Sequence, residues 1–175
     1  MPSNLRIQIR IDAEAAIQRM KDMAERSKNF KVVFRWAKRE LGLMNGQNFA
    51  QGGLPSGTPW SPLDPQYASW KAINFPGRPD MVASKKLFNS LRNLNGPANS
   101  IRLTRATFGT DVEYAKFHQY GTSRMPKRQI VYEPAGFAER LALLTGRYIV
   151  SGGIGVATGD LALQGQLGNP NRSGI

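Results

Sequence analysis

Residues 5–11, Leu-Arg-Ile-Gln-Ile-Arg-Ile, alternate apolar and polar positions without a break. Leu5, Ile7, Ile9 and Ile11 share one face and Arg6, Gln8 and Arg10 the other, which predicts a half-buried β-strand. Asp12 then makes a good N-cap for a helix to about Arg26. On that helix Ala13, Ala16, Ile17, Met20 and Ala24 fall on one side, and Glu14, Gln18, Asp22 and Glu25 on the other. After a break at 27–29, the spacing of Phe30, Val33, Phe34, Ala37, Leu41 and Met44 predicts a second helix over 30–44. Lys28, Lys31, Arg35, Lys38 and Arg39 lie opposite that stripe, with Glu40 the one acid nearby.

Residues 45–80 are rich in Gly, Pro and Ser and read as irregular. They also carry Phe49, Trp60, Leu63, Tyr67 and Trp70, too many large apolar residues for a disordered linker. An ordered strap anchored by its aromatics follows, with a short helix over 65–72 inside it. A helical turn or two is expected over 85–94, with Leu87, Phe88 and Leu91 facing in. Strands are expected over 101–108 and 127–133, the latter with Ile130 and Tyr132 on one face. A last helix or helix-to-strand segment covers 137–150.

The pattern predicts an α+β fold. A small mixed or antiparallel sheet built from 5–11, 101–108 and 127–133 would carry the two long N-terminal helices on one face. The expected division is a domain over 1–150 and a glycine-rich C-terminal arm over 151–175. The arm's Ile154, Val156, Leu161, Leu163 and Leu167 would be unfavourable on a free tail, so packing on a neighbouring subunit is expected for them.

Charge narrows the partners. The chain of 175 residues has a formal net charge of +12, which favours polyanions, whether nucleic acid or acidic protein surfaces. The cations over 28–39 are either an ordinary solvated face or a rail for a phosphate backbone. There is no cysteine, which removes disulfides, thiolate metal sites and cysteine nucleophiles. His118 is the single histidine, and it reads as a satisfied structural residue. A metal site with Asp111 and Glu113 would need one short segment to present all three side chains together. No run of about 18 apolar residues marks a membrane span, and the first residues lack a secretory signal, so a cytoplasmic origin is expected.

The most specific stretch is 108–128, with Gly109-Thr110, Tyr114-Ala115, His118-Gln119, Gly121 and Met125-Pro126 followed by Arg128. It comes after Phe49, Gly52, Gly53, Trp60, Pro62 and Leu63, then Tyr67 and Lys71, then Ser84-Lys85-Lys86-Leu87-Phe88-Asn89-Ser90. In this order the four blocks resemble the phage virion morphogenesis family, small tail-completion or neck proteins of tailed phages. Two departures stand out. The family's Thr-Gly-x-Leu-x-x-Ser has Ser84-Lys85 in place of Thr-Gly, and its Pro-Ala-Arg-Pro-Phe is Pro126-Lys127-Arg128-Gln129-Ile130 here. The resemblance spans about residues 5–150 and leaves the arm outside.

The resemblance implies a non-enzymatic virion protein at the head–tail junction, with no cofactor, catalytic residue or metal. It would form a ring, hexameric or dodecameric, through which double-stranded DNA passes without sequence-specific contact. Its partners would be other copies of itself, portal-adaptor or neck proteins and tail-tube proteins, in the host cytoplasm and then the virion, with no membrane. Candidates for the DNA-facing lumen are Lys28, Lys31, Arg35, Lys38, Arg39, Arg124, Lys127 and Arg128. Interface and motif candidates are Trp60, Tyr114, His118, Gln119, Tyr120, Gly121, Pro126, Ile154, Leu161 and Leu163, with Tyr114, Phe117 and Tyr120 read as packing anchors. The alternative is a free, sequence-independent DNA-binding protein. An enzyme such as a nuclease ranks third, since no acid–base or metal cluster is visible.

Overall fold

The computed structural model describes residues 13–155. The expected strand over 5–11, its neighbour Asp12, and Val156, Leu161, Leu163 and Leu167 lie outside the described residues. Six helices and one hairpin follow in chain order. They are α1 (Ala13–Arg26), α2 (Lys31–Ala50), α3 (Pro65–Asn74), α4 (Lys86–Asn93), β1 (Ser100–Ile101), β2 (Ala106–Thr107), α5 (Ala115–Tyr120) and α6 (Phe137–Ser151). The α+β class holds, with a helical framework around a small antiparallel sheet.

Helix α2 is the axis of the molecule. Val33 and Ala37 are buried as the stripe predicted, while its Phe34, Leu41 and Met44 are half-buried and the buried positions further on are Gly42, Asn45, Asn48 and Phe49. The helix runs to Ala50, past the expected end at 44. Asn45 and Gly46 look like a break in the sequence, but both are packing devices. Asn45 Nδ2 donates to the Leu91 carbonyl at 2.9 Å. Gly42 leaves room for α4, since a Cβ there would stand 2.3 Å from the Arg92 carbonyl oxygen. Close packing of α4 on α2 puts Phe49 at the centre of a core with Val82, Leu87, Leu91, Val112, Ala115 and Ile130. Trp60 and Phe88 meet the Phe49 ring edge-on at 5.3 and 5.5 Å.

The other end of α2 packs on α6. Trp36 stacks on Phe137 at 6.1 Å, and Phe30 meets Tyr148 edge-on at 6.3 Å. Helix α1 joins the same end, where the Arg26 guanidinium donates to the Ile149 and Val150 carbonyls. The expected apolar face of α1 is not covered among the described residues: none of its residues is buried, and Met20 is 69% exposed. Among the described residues, α1 packs beside α6.

The sheet is smaller than expected. Residues 101–108 do not form one strand. They fold back on themselves, pairing Ser100 with Thr107 and Ile101 with Ala106, and the Arg102 N–H donates to the Arg105 carbonyl. Residues 127–133 are extended but form no strand. Their donors are already taken: the Gln119 side-chain oxygen accepts from the Ile130 and Val131 N–H groups at 3.0 and 2.9 Å. Gln119 Nε2 returns a bond to the Val131 carbonyl at 2.9 Å, so one side chain does the work of a neighbouring strand.

Candidate functional site

The residues that carry the motif series sit together at the C-terminal end of α2. Helix α5, missed by the sequence patterning because it is six residues long, presents His118 and Gln119 to the segment after it. The His118 carbonyl accepts from the Arg128 N–H at 2.7 Å. Between them the chain reverses at Gly121, whose φ of 75° favours glycine. A Cβ there would also stand 2.9 Å from the Lys127 nitrogen.

Arg128 is not a lumen-facing cation. It is 5% exposed. Its Nε and Nη2 donate to the Ser61 and Pro62 carbonyls at 3.0 and 2.8 Å. Burial pushes its pKa down and nearby Asp80 opposes that shift. The Gln129 carbonyl accepts from both the Trp60 indole N–H at 3.0 Å and Asn48 Nδ2 at 3.1 Å. Gly53 completes the clip: at φ 88°, its Cβ position lies 2.3 Å from the Trp60 ring. Trp60 and Arg128 therefore hold the strap to the core, and Asp64 starts α3 by accepting from the Gln66 and Tyr67 N–H groups.

Outside this clip lies a cleft of about 750 Å³. Leu63, Met81, Leu87, Phe88 and Met125 give it an apolar lining, with Lys85, Lys86, Arg124, Asp64 and Asp80 also at its walls. Pro126 and His118 line it too. Burial, then Arg128, hold the His118 imidazole below its ordinary pKa, so the neutral ring is the native form. A second groove lies across α5, lined by Asp111, Glu113, Tyr120 and Val131. His118 and the pair Asp111 and Glu113 thus line different depressions, and no metal-holding cluster exists among the described residues.

Tyr114, Phe117 and Tyr120 correct the expectation of packing anchors. The buried residues here are Val112 and Ala115, while the three aromatics form an exposed ridge on α5 at spacing i, i+3, i+6. Tyr120 is 78% exposed. Helix α3 adds Tyr67, Trp70 and Ile73 at the same spacing, with Ile73 81% exposed and the two rings stacked at 5.5 Å. Exposed aromatics grouped in this way have the composition of protein contact surfaces.

On α2, Lys31, Arg35, Lys38 and Arg39 fall on one side, opposite buried Val33 and Ala37, while Lys28 lies in the turn before the helix. Lys28 is bonded to Glu25 at 2.6 Å and Lys38 to Asn95 at 2.6 Å, and Arg39 lies 3.8 Å from Glu40. Lys127 and Arg124 are exposed on the loop after α5, and Ile154 is half-buried beyond α6. No helix among the described residues is long and apolar enough to cross a membrane.

Residues 11–146 match the model of the phage virion morphogenesis family. No curated protein and no solved structure matches the chain.

Proposed function

We propose a ring-forming role at the phage head–tail junction for this chain, which belongs to the phage virion morphogenesis family. Membership makes it a structural protein of virion assembly, with the virion as its place. The finer reading is a neck, tail-completion or tail-terminator subunit that closes into a homo-oligomeric ring, hexameric or dodecameric, with double-stranded DNA in its lumen.

The observation that carries this reading is the uncovered aromatic surface. Tyr67, Tyr114 and Phe117 line the cleft, Tyr120 lines the groove beside it, and Trp70 and Ile73 continue the exposed side of α3. Exposed Trp and Tyr beside an apolar pocket is the composition of an interface core. The apolar stripe of α1 supplies a second uncovered surface at the other end of α2. Two different patches on one protomer suit a heterologous contact, which closes into a ring when the rotation permits. The cleft and ridge would then receive either the next subunit or a neck or tail-tube partner, and residues 151–175 would extend that contact.

The free DNA-binding protein is the second reading, favoured by the stripe on α2. Mass photometry of the full chain separates the two, alone and mixed with neck and tail-tube proteins of the same virion. A discrete closed oligomer in either sample supports the ring. A monomer in every mixture, binding duplex tightly, refutes it.

A further inference from the structure

We infer that α2 and the β1–β2 hairpin together form a surface for the phosphate backbone of duplex DNA, and that Arg102 and Arg105 are part of it. The hairpin arginines are not adjacent to the α2 cations in sequence; the fold brings them there. The Phe30 N–H donates to the Leu103 carbonyl at 2.7 Å, which fixes the hairpin tip at the start of α2. Lys38 Nζ donates to Asn95 at 2.6 Å, which fixes the segment leading from α4 into β1 further along the helix. In the hairpin, Ile101 and Ala106 are paired and half-buried, so Arg102 and Arg105, the next residue on each side, fall on the outer face and are exposed.

The stripe from Lys31 to Arg39 covers about 12 Å of helix, over which a duplex offers about seven charges. Lys31, Arg35, Lys38, Arg39, Arg102 and Arg105 face it. The acids nearby are Glu40, beside Arg39, and Glu25, bonded to Lys28. Arg128 and Lys71 are turned inward onto carbonyls, whereas Arg35, Arg39, Arg102 and Arg105 are exposed, with Lys31 and Lys38 half-buried beside them. No exposed aromatic interrupts the stripe, in contrast to α3 and α5, which favours a phosphate backbone over an acidic protein surface. No Asn or Gln stands in the stripe to read adenine edges, which fits contact without sequence readout. The inference takes duplex DNA as partner from the ring reading, but the surface itself follows from the charges and their placement.

The test is fluorescence anisotropy of the full chain with two 30-bp duplexes of unrelated sequence, between 50 and 200 mM NaCl. Both duplexes should bind alike, with log affinity falling against log salt at a slope of about −4 to −5, for about five phosphates contacted. Arg102→Ala with Arg105→Ala should reduce the slope by about 2, so the affinity lost over that salt range shrinks about tenfold. Arg19→Ala with Lys21→Ala, an equal charge loss on exposed positions of α1, should leave the slope unchanged. The inference is overturned by an unchanged slope in the hairpin variant, by an equal loss in the α1 variant, or by no duplex binding at 50 mM. It is also overturned if polyglutamate displaces the protein as well as unlabelled duplex does. Mass photometry on the same samples separates the two proposals: a monomer with the expected slopes refutes the ring and keeps this surface, whereas an oligomer without them does the reverse.

Discussion

Lys85 should be a better glycine than a lysine. It is the residue before α4, with φ 65° and ψ −1°, in the left-handed region. It stands where the family pattern has the glycine of Thr-Gly-x-Leu-x-x-Ser. An L-residue there gives up about 1–2 kcal/mol to contact between its Cβ and the following carbonyl. Glycine avoids that, but loses about 0.5–1 kcal/mol more backbone entropy on folding. The Lys85 side chain is exposed and makes no described bond, and its charge beside the helix N-terminus is slightly unfavourable. Lys85→Gly should therefore stabilise the chain by about 0.5–1 kcal/mol, a rise in Tm of about 1–4 °C at this size. Lys85→Ala removes the same charge and length but keeps the Cβ, so it isolates the backbone effect. At the other end of the same helix, Leu94 has φ 51° but is 2% exposed. Leu94→Gly relieves similar strain and empties a core site worth about 2–5 kcal/mol, so it should destabilise. Thermal unfolding followed by circular dichroism, with urea midpoints as a check, reads all three. If Lys85→Ala stabilises as much as Lys85→Gly, the backbone argument is wrong.

Four further outcomes follow from the same geometry. Arg128→Ala should cost about 2–4 kcal/mol, because it frees two carbonyls of the strap and removes a buried guanidinium, and urea denaturation measures it. Gly53→Ala should cost more than about 2 kcal/mol in the same assay, since the new methyl meets the Trp60 ring at a φ of 88°. Phe117→Ala with Tyr120→Ala should change stability by less than about 1 kcal/mol yet weaken assembly about thirtyfold or more, read by mass photometry over a concentration series. His118 is held neutral by burial and by Arg128, so its contribution is complete above its ordinary pKa of about 6.5 and is lost as pH falls below that. The urea midpoint should therefore fall between pH 7.5 and 5.5, and His118→Gln should flatten that fall.

Much of the helical framework was legible because its signals are local. The apolar spacing from Phe30 to Met44 acts within a few residues, and α2 and the short helix expected over 65–72 appear where those signals lie. What was not legible depends on partners distant in sequence. Gly46 reads as a helix breaker until the Arg92 side chain is seen lying against it, at 2.9 Å from a Cβ position there. The alternation over 127–133 is real, with Ile130 buried and Val131 exposed, but alternation reports extension and burial, not what the backbone pairs with. Here that partner is Gln119, a side chain that no periodicity marks. Arg128 reads from the sequence as a lumen candidate beside Arg124 and Lys127 because charge in a sequence carries no direction. Carbonyls more than 60 residues away turn it inward.

That sorting bears on where function lies. Trp60, Gln119, Gly121 and Arg128, the residues that make the chain resemble its family, are spent on closing the strap onto α2 and on shaping the turn after α5. Their job is to hold a platform. The residues left uncovered by that platform are of other kinds: aromatics on α3 and α5, an apolar stripe on α1, and cations on α2 and the hairpin. Substituting the first group should therefore lower stability and assembly together. Substituting the second should alter assembly or DNA binding with the fold intact. A platform residue whose loss abolished assembly at unchanged stability, or an exposed aromatic whose loss unfolded the chain, would break this division.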